Sequence, residues 1–181
     1  MAKTATVFKA TINIADMDRG YYADHSLTLA QHPSETDERM MVRLLAFALN
    51  AGEHLTFSRG LSAEGEPELF EQALTGEIEL WVAFGQPDEK WLRKASGRAK
   101  KVRVYAYGGR SVPVWWQQNQ NTFQRYGNMQ IWEVPEPQVK AMGALVDRSM
   151  QLQFNISEGQ VWLSKASDSV LIEPVLLKDW Q

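Results

Sequence analysis

The chain has 181 residues, a net charge of −3 and no cysteine. That length suits a single domain with a real core. The charge argues against an overall electrostatic grip on nucleic acid while leaving room for a local basic patch, and the missing thiols exclude a disulfide framework, a thiolate metal site and a cysteine nucleophile. No run of about 18 apolar residues occurs, so nothing is expected to span a membrane, and Met1–Lys9 is not followed by the apolar core of a secretory signal. The expected compartment is the cytoplasm of a bacterial-type cell.

Residues 7–14 are rich in β-branched side chains and read as a strand, and 22–29 return as its partner in a hairpin. Asp16, Asp18, Arg19 and Gly20 form the turn between them. The two aspartates have the chemistry of a metal pair, but turn closure through their own side chains explains them better. Pro33, Ser34, Glu35, Thr36 and Asp37 announce a helix start, with Ser34 as the cap and acids in the first turn. That helix runs to about Asn50, with Met41, Leu44, Leu45 and Ala48 as its buried stripe and Gly52 just past its end. Glu38 lies on the side of that stripe, either as a first-turn acid favoured by the helix dipole or as an acid aimed at the sheet end that carries Glu79. Residues 54–58 read as a short strand, followed by Arg59-Gly60. Glu66-Pro67-Glu68 opens a short helix to about Leu74, with proline at its first position.

The next stretch holds the most chemistry. Ile78, Leu80, Val82 and Phe84 alternate with Glu79, Trp81 and Ala83, which predicts a half-buried strand with Glu79 opposite the aliphatic row. Gly85-Gln86-Pro87 ends it. Asp88 and Glu89 open a helix carrying Lys90, Arg93, Lys94, Arg98, Lys100 and Lys101, and residues 102–107 form the following strand. An acid on a sheet, with lysines on the helix just after it, is what a metal-dependent phosphodiesterase needs: the acid holds a divalent cation and the lysine polarises water or phosphate. The bland alternative is a solvated helix face with Asp88 and Glu89 pairing to Arg93 and Lys94. Gly108-Gly109-Arg110-Ser111 reads as a turn. Residues 114–120 form a helix with a Trp115-Trp116-Gln117-Gln118 run, 129–134 a strand and 138–147 a helix. Short strands at 150–156, 161–163 and 170–172 make an antiparallel meander, with Glu158-Gly159 at a tight hairpin. The seven tryptophans are read as core and edge packing. His25, His32 and His54 lack metal-ligand spacing, and no G-x-S-x-G elbow or Walker-type loop occurs.

Along its whole length the chain resembles the YaeQ family of small bacterial proteins. The resemblance rests on His32-Pro33-Ser34-Glu35-Thr36 with Glu38-Arg39-Met40, Arg59-Gly60-Leu61, Glu66-Pro67, Trp81 with Gly85-Gln86-Pro87-Asp88, and Trp115-Trp116-Gln117-Gln118-Asn119-Gln120. It implies an α/β fold with a mixed central sheet and flanking helices, similar to the PD-(D/E)xK restriction-endonuclease-like core, over about 32–146. An antiparallel sheet from the N-terminal hairpin (5–30) and the C-terminal meander (149–177) would complete the single domain. Carried over to this chain, Glu38 fits the helix acid beside the metal, Glu79 the strand acid, and Lys94, or less well Lys90, replaces the strand lysine. Two departures stand out. Trp81, not lysine, follows two residues after Glu79, and the family pattern has glutamate where this chain has Ala83. Positions 79 and 83 share a face, yet four strand residues span about 13 Å, too far to share one ion easily.

Two functions follow. One is a non-catalytic or degenerate binding or regulatory module on a nuclease-like scaffold, taking a protein partner or nucleic acid through the basic helix and the Trp115-Trp116 region. Ala83, the missing strand lysine and the acidic net charge favour it. The other is a divalent-metal-dependent phosphodiester hydrolase acting on DNA or RNA. There Glu38 and Glu79 hold Mg²⁺ or Mn²⁺, Lys94 orients the water, and Arg59, Lys90, Arg93 and Arg98 hold flanking phosphates.

Overall fold

The structure is a computed structural model that describes residues 4–58 and 66–181. In chain order its elements are β1 (Thr6–Asp16), β2 (Tyr21–Gln31), α1 (Asp37–Asn50), β3 (Leu55–Phe57), β4 (Leu69–Gln72), β5 (Ile78–Phe84), α2 (Glu89–Arg98), β6 (Ala99–Ala106), α3 (Ser111–Phe123), β7 (Met129–Glu133), α4 (Glu136–Gly143), β8 (Ser149–Ser157), β9 (Gln160–Lys165), β10 (Asp168–Ile172) and β11 (Val175–Lys178). The chain groups into two compact units, Met1–Leu49 with Pro137–Pro174 and Asn50–Glu136 with Val175–Gln181. Each has one mixed sheet. Among the described residues no helix is long and apolar enough to cross a membrane.

The first sheet has the order β10-β9-β8-β1-β2. The N-terminal hairpin and the C-terminal meander do join, as the alternation suggested, but the sheet is mixed rather than antiparallel. β1 and β8 run side by side in parallel from Lys9↔Ser149 to Asp16↔Ile156. The period of two in a strand is the same for either direction, so alternation fixes the inward face and leaves the direction open. Both strands turn that face inward: Ile12 and Ile14 on β1, Leu152 and Phe154 on β8, all buried. The two hairpin turns are tied together. Glu158 and Gly159 both have positive φ, as a two-residue hairpin turn requires, and their amides donate to the Asp18 carboxylate at 2.7 and 3.0 Å. Asp16 accepts from the Arg19 amide and from Arg19 Nε. Both aspartates therefore work as turn formers.

α1 is buried on every side from Met40 to Ala48, where a stripe was expected. The segment is apolar all round except for Arg43, which is the pattern of an interior helix. Its start differs as well. The Arg39 amide donates to Thr36 Oγ1, so Thr36 is the cap, while Ser34 bonds to His32. Glu35 is released from the helix start for another task. Its buried carboxylate accepts from Arg39 at 2.6 Å and from two nitrogens of Arg43 at 2.8 and 2.6 Å. Arg43, only 8% exposed, also donates to the Ala30 carbonyl on β2.

The second sheet has the order β11-β7-β6-β5-β4-β3, with β5, β6 and β7 parallel. The segment after Glu66-Pro67-Glu68 is strand β4, not a helix: Leu69 is fully buried and pairs with Val82, so sheet pairing overrides the proline-and-acid signal, which suits a strand entry equally. β5 is buried on both faces, not one, since Trp81 and Ala83 are 1% and 5% exposed under α2 and α3. Lys100 and Lys101 lie on β6, not on the helix. α2 stops at Arg98 because Asn128, distant in sequence, donates to the Ser96 and Ala99 carbonyls at 2.9 and 3.1 Å and accepts from Ser96 Oγ. Carbonyls left without partners at a helix end are thereby satisfied.

Glu35 is the carboxylate on which two arginines meet, one of them buried. Glu35→Ala removes the carboxylate that Arg43 meets through two nitrogens in the interior and is expected to cost about 3 kcal/mol. Glu35→Gln, which keeps acceptor capacity, is expected to cost visibly less. Urea unfolding of the three proteins side by side measures the difference, and equal midpoints would show the triad to be stability-neutral.

Candidate functional site

β5, α2 and β6 form one crossover, and their residues fix the charged groups. On β5 the pairs Ile78↔Ala99 and Leu80↔Lys101 flank Glu79 and set it beside Lys100 on β6. Lys100 Nζ donates to Glu79 at 3.2 Å and sits 3.5 Å from Glu77. The hydrogen bond to Glu79, with the charge of Glu77 next in weight, raises the Lys100 pKa above its ordinary value. The lysine that meets the strand acid is therefore Lys100. Sequence reasoning placed it on the helix and missed it; a helix end one turn earlier, at Arg98, would have put it on the strand next to Glu79.

α2 is capped by Asp88, which accepts from the Trp91 amide at 2.7 Å. Leu92 and Ala95 are its buried residues, and the Trp91 ring meets Trp81 edge-on at 6.0 Å. Lys90, Arg93 and Lys94 are exposed. Arg93 lies 4.0 Å from Glu89, the helical pairing anticipated for this face. Lys90 and Lys94 have no hydrogen-bond or ion-pair partner among the described residues. Arg98 points back to Glu66 at 3.5 Å and covers the Trp81 ring at 5.4 Å. Arg59 lies outside the described residues.

Glu38 belongs to the first unit, in the first turn of α1. It is half-buried, and its carboxylate has no hydrogen-bond or ion-pair partner among the described residues. Its stem lies so close to Gly143 on α4 that a Cβ there would sit 2.8 Å from Glu38 Cγ. Among the described residues no group of three or more His, Asp or Glu gathers as a metal would require. Ala83 is sealed into the core formed with Trp81, Ala95, Val104 and Trp115. One residue beyond the couple Leu69↔Val82, the strand register leads to Glu68 opposite Ala83. The Pro67-Glu68 step was read as a helix start, which concealed this acid.

The carboxyl ends of the parallel strands collect the remaining motifs. Trp115 Nε1 on α3 donates to the Pro87 carbonyl at 2.8 Å, pinning the Gly85-Gln86-Pro87 turn. Gln86 donates to the Tyr107 carbonyl at 3.1 Å and to Ser111 Oγ at 2.6 Å. Gly108 and Gly109 both have positive φ; a Cβ on Gly108 would meet Gln86 Nε2, and one on Gly109 would collide with the Glu136 carboxylate. The glycine pair is thus a tight turn between two polar side chains. Trp115 is a buried structural anchor, while Gln117 and Gln118 face solvent.

The family model described as "YaeQ protein" matches residues 1–174. The uncharacterized protein YaeQ of Salmonella typhi is 44% identical over 181 residues, covering 100% of this chain and 98% of its own length. That of Escherichia coli K12 is 43% identical over the same span, with the same coverage. The crystal structure of the YaeQ protein from Xanthomonas axonopodis pv. citri aligns with a TM-score of 0.94 at 48% identity, covering 97% of this chain and 99% of that one. The YaeQ protein from Pseudomonas syringae aligns with a TM-score of 0.91 at 35% identity and 96% coverage of each chain. A family match across nearly the full length, near-complete relatives above two-fifths identity and two solved structures of the same architecture agree: the chain belongs to the YaeQ family.

Proposed function

We propose that the chain is a nucleic-acid-binding module on a nuclease-like scaffold of the PD-(D/E)xK type, whose phosphodiesterase site no longer assembles. The observation that carries this reading is Ala83. The position where the resemblance implies glutamate is a methyl group packed in the core, 5% exposed. The strand acid that remains, Glu79, already has a cation against it, Lys100 at 3.2 Å. A divalent ion would have to displace that ammonium, which Glu77 also holds at 3.5 Å. The outer face of α2 offers cations to nucleic acid. There Lys90 and Lys94 stand without counter-charges among the described residues, beside Arg93, and cations so placed contact phosphates without reading sequence.

A second reading has its own observation. An acid and a lysine in contact on adjacent strands, Glu79 and Lys100, are the pair a metal-dependent hydrolase uses, with Lys100 in the role first expected of Lys94. Mg²⁺ or Mn²⁺ would bind the acid, and the ammonium would orient the attacking water. A protein partner for α2, the remaining expectation, has no observation that favours it over phosphate.

Calorimetric titration with Mg²⁺ and Mn²⁺ separates the two. The binding-module reading expects no saturable heat up to millimolar metal from the wild type, Glu38→Ala or Glu79→Ala. Saturable binding that vanishes in Glu79→Ala would install the hydrolase instead. On the same reading, a Lys90→Glu/Arg93→Glu/Lys94→Glu variant is expected to weaken binding to a labelled DNA duplex and to lower the slope of log K against log salt by roughly 2 to 3. An unchanged slope, with an unchanged thermal melt, would remove α2 from the interface.

A further inference from the structure

β6 carries a second set of cations. Val102, Val104 and Ala106 point into the core beneath α2 and α3, so Lys101 and Arg103 project from the opposite face of the sheet. There the Trp180 ring takes both: the Arg103 guanidinium is 5.1 Å and the Lys101 ammonium 5.3 Å from its centroid.

The partners of Arg103 are unusual. Nε donates to Gln130 Oε1 at 2.7 Å and one terminal nitrogen to Asn50 Oδ1. Both acceptors are neutral amides, and both are more than nine-tenths buried. Their orientation is fixed by further bonds: Gln130 accepts also from Trp132 Nε1 and donates to Asp179, while Asn50 donates to the Tyr105 hydroxyl. Neither Arg103 nor Lys101 has a carboxylate within ion-pair distance among the described residues. The nearest acid, Asp179, is held by Gln130 Nε2 at 2.8 Å and the Trp180 amide at 2.9 Å. Those two bonds hold its carboxyl below the usual carboxylate range, with Arg103 and Lys178 adding smaller attractions. Buried Lys178 spends its own donors on the Met129 and Asp179 carbonyls.

Arg43, in the first unit, ends on the carboxylate of Glu35, which cancels its charge. Here a guanidinium is held by neutral groups, its remaining N–H groups unbonded among the described residues, next to an exposed ammonium and a half-buried indole. We propose that Lys101, Arg103 and Trp180 form a binding site for a nucleoside phosphate, with the phosphate on the two cations and the base against the indole. The same unit occurs in a free nucleotide and in a single strand of nucleic acid. The site lies on the other face of the sheet from the one α2 packs on, and it stands or falls apart from the reading of α2.

The test is calorimetric titration at low ionic strength with AMP, decathymidylate and inorganic phosphate as probes. AMP and decathymidylate are expected to bind and inorganic phosphate to bind at least about tenfold more weakly, because only the first two stack. Lys101→Glu, at an exposed position that leaves the packing alone, is expected to weaken both nucleotide probes about tenfold or more. Trp180→Leu is expected to weaken them about fivefold or more while leaving inorganic phosphate unchanged. Asp179→Asn keeps the oxygen that accepts from Gln130 and removes the local negative charge, so it is expected to tighten all three; a purely structural cluster would not gain affinity. Decathymidylate binding more tightly than AMP assigns a strand as the ligand, and equal affinity assigns a free nucleotide. Either supports the site. No binding of AMP or decathymidylate to the wild type, binding indifferent to Lys101→Glu and Trp180→Leu, or inorganic phosphate as tight as AMP would overturn it. Loss of decathymidylate binding only in the α2 variant would overturn this site and leave the α2 reading standing.

Discussion

The burial of Trp81 between β5 and α2 determines where the charges of the second unit lie. Its indole is 1% exposed, lies edge-on to Trp91 and has the Arg98 guanidinium over its ring. Burying a side chain of that size on a central strand brings α2 down onto the sheet through Leu92 and Ala95, which sends Lys90, Arg93 and Lys94 outward. It also occupies the position two residues after Glu79, where an acid-x-lysine pattern would have its lysine. A lysine there would put an ammonium into this apolar contact at a large desolvation cost. The lysine that Glu79 meets comes instead from the neighbouring strand, and the helix that separates Glu79 from Lys100 in sequence is what lets the two strands run parallel and bring them together.

The first unit solves a different problem with the same economy of means. α1 is interior along most of its length, and one arginine in an otherwise apolar run would be prohibitive alone. Glu35, just before the helix, receives Arg43 through two nitrogens and Arg39 through one, a geometry only a guanidinium offers. The His32-Pro33-Ser34-Glu35-Thr36 stretch thus has a structural account. Ser34 and His32 close the turn, Thr36 caps the helix, and Glu35 neutralises the helix interior. A motif that catches the eye in a sequence can be spent wholly on folding.

What could be read from the sequence follows from the range of the forces involved. Glu158-Gly159 was legible as a hairpin because a two-residue turn is decided by two backbone conformations. The interior character of α1 was legible in principle, since residues 40–49 hold a single charge, yet a stripe was inferred because four residues sufficed to define one. The strand at 69–72 was not legible: proline followed by an acid starts a helix or a strand equally well, and Val82 across the sheet decides. The end of α2 was not legible either. Asn128 terminates it from about thirty residues downstream. That one long-range cap moved Lys100 and Lys101 from helix to strand, and with them the identity of the lysine at the candidate site. Lys94 had the right spacing for a catalytic role but points to solvent, while Glu68 was hidden by the helix reading and emerges opposite Ala83 from strand register alone.

A single strand then carries two opposite electrostatic situations, because alternate residues face opposite sides. On one side of β6, Lys100 meets Glu77 and Glu79, and cation and acids cancel locally. On the other, Lys101 and Arg103 meet an indole and two amides, which orient positive charge without cancelling it. The net charge of −3 conceals this division, because most of the acids that produce it lie elsewhere on the chain. An oriented guanidinium with no carboxylate in contact attracts an anion more strongly than a flexible one, since little entropy is lost when the anion arrives. The amides of Gln130 and Asn50 are each committed to a second partner, so neither can turn away to leave Arg103 mobile. The same bonds that make this cluster rigid make it a receptor, whereas the Glu79–Lys100 pair, complete in itself, has little charge left to offer a ligand.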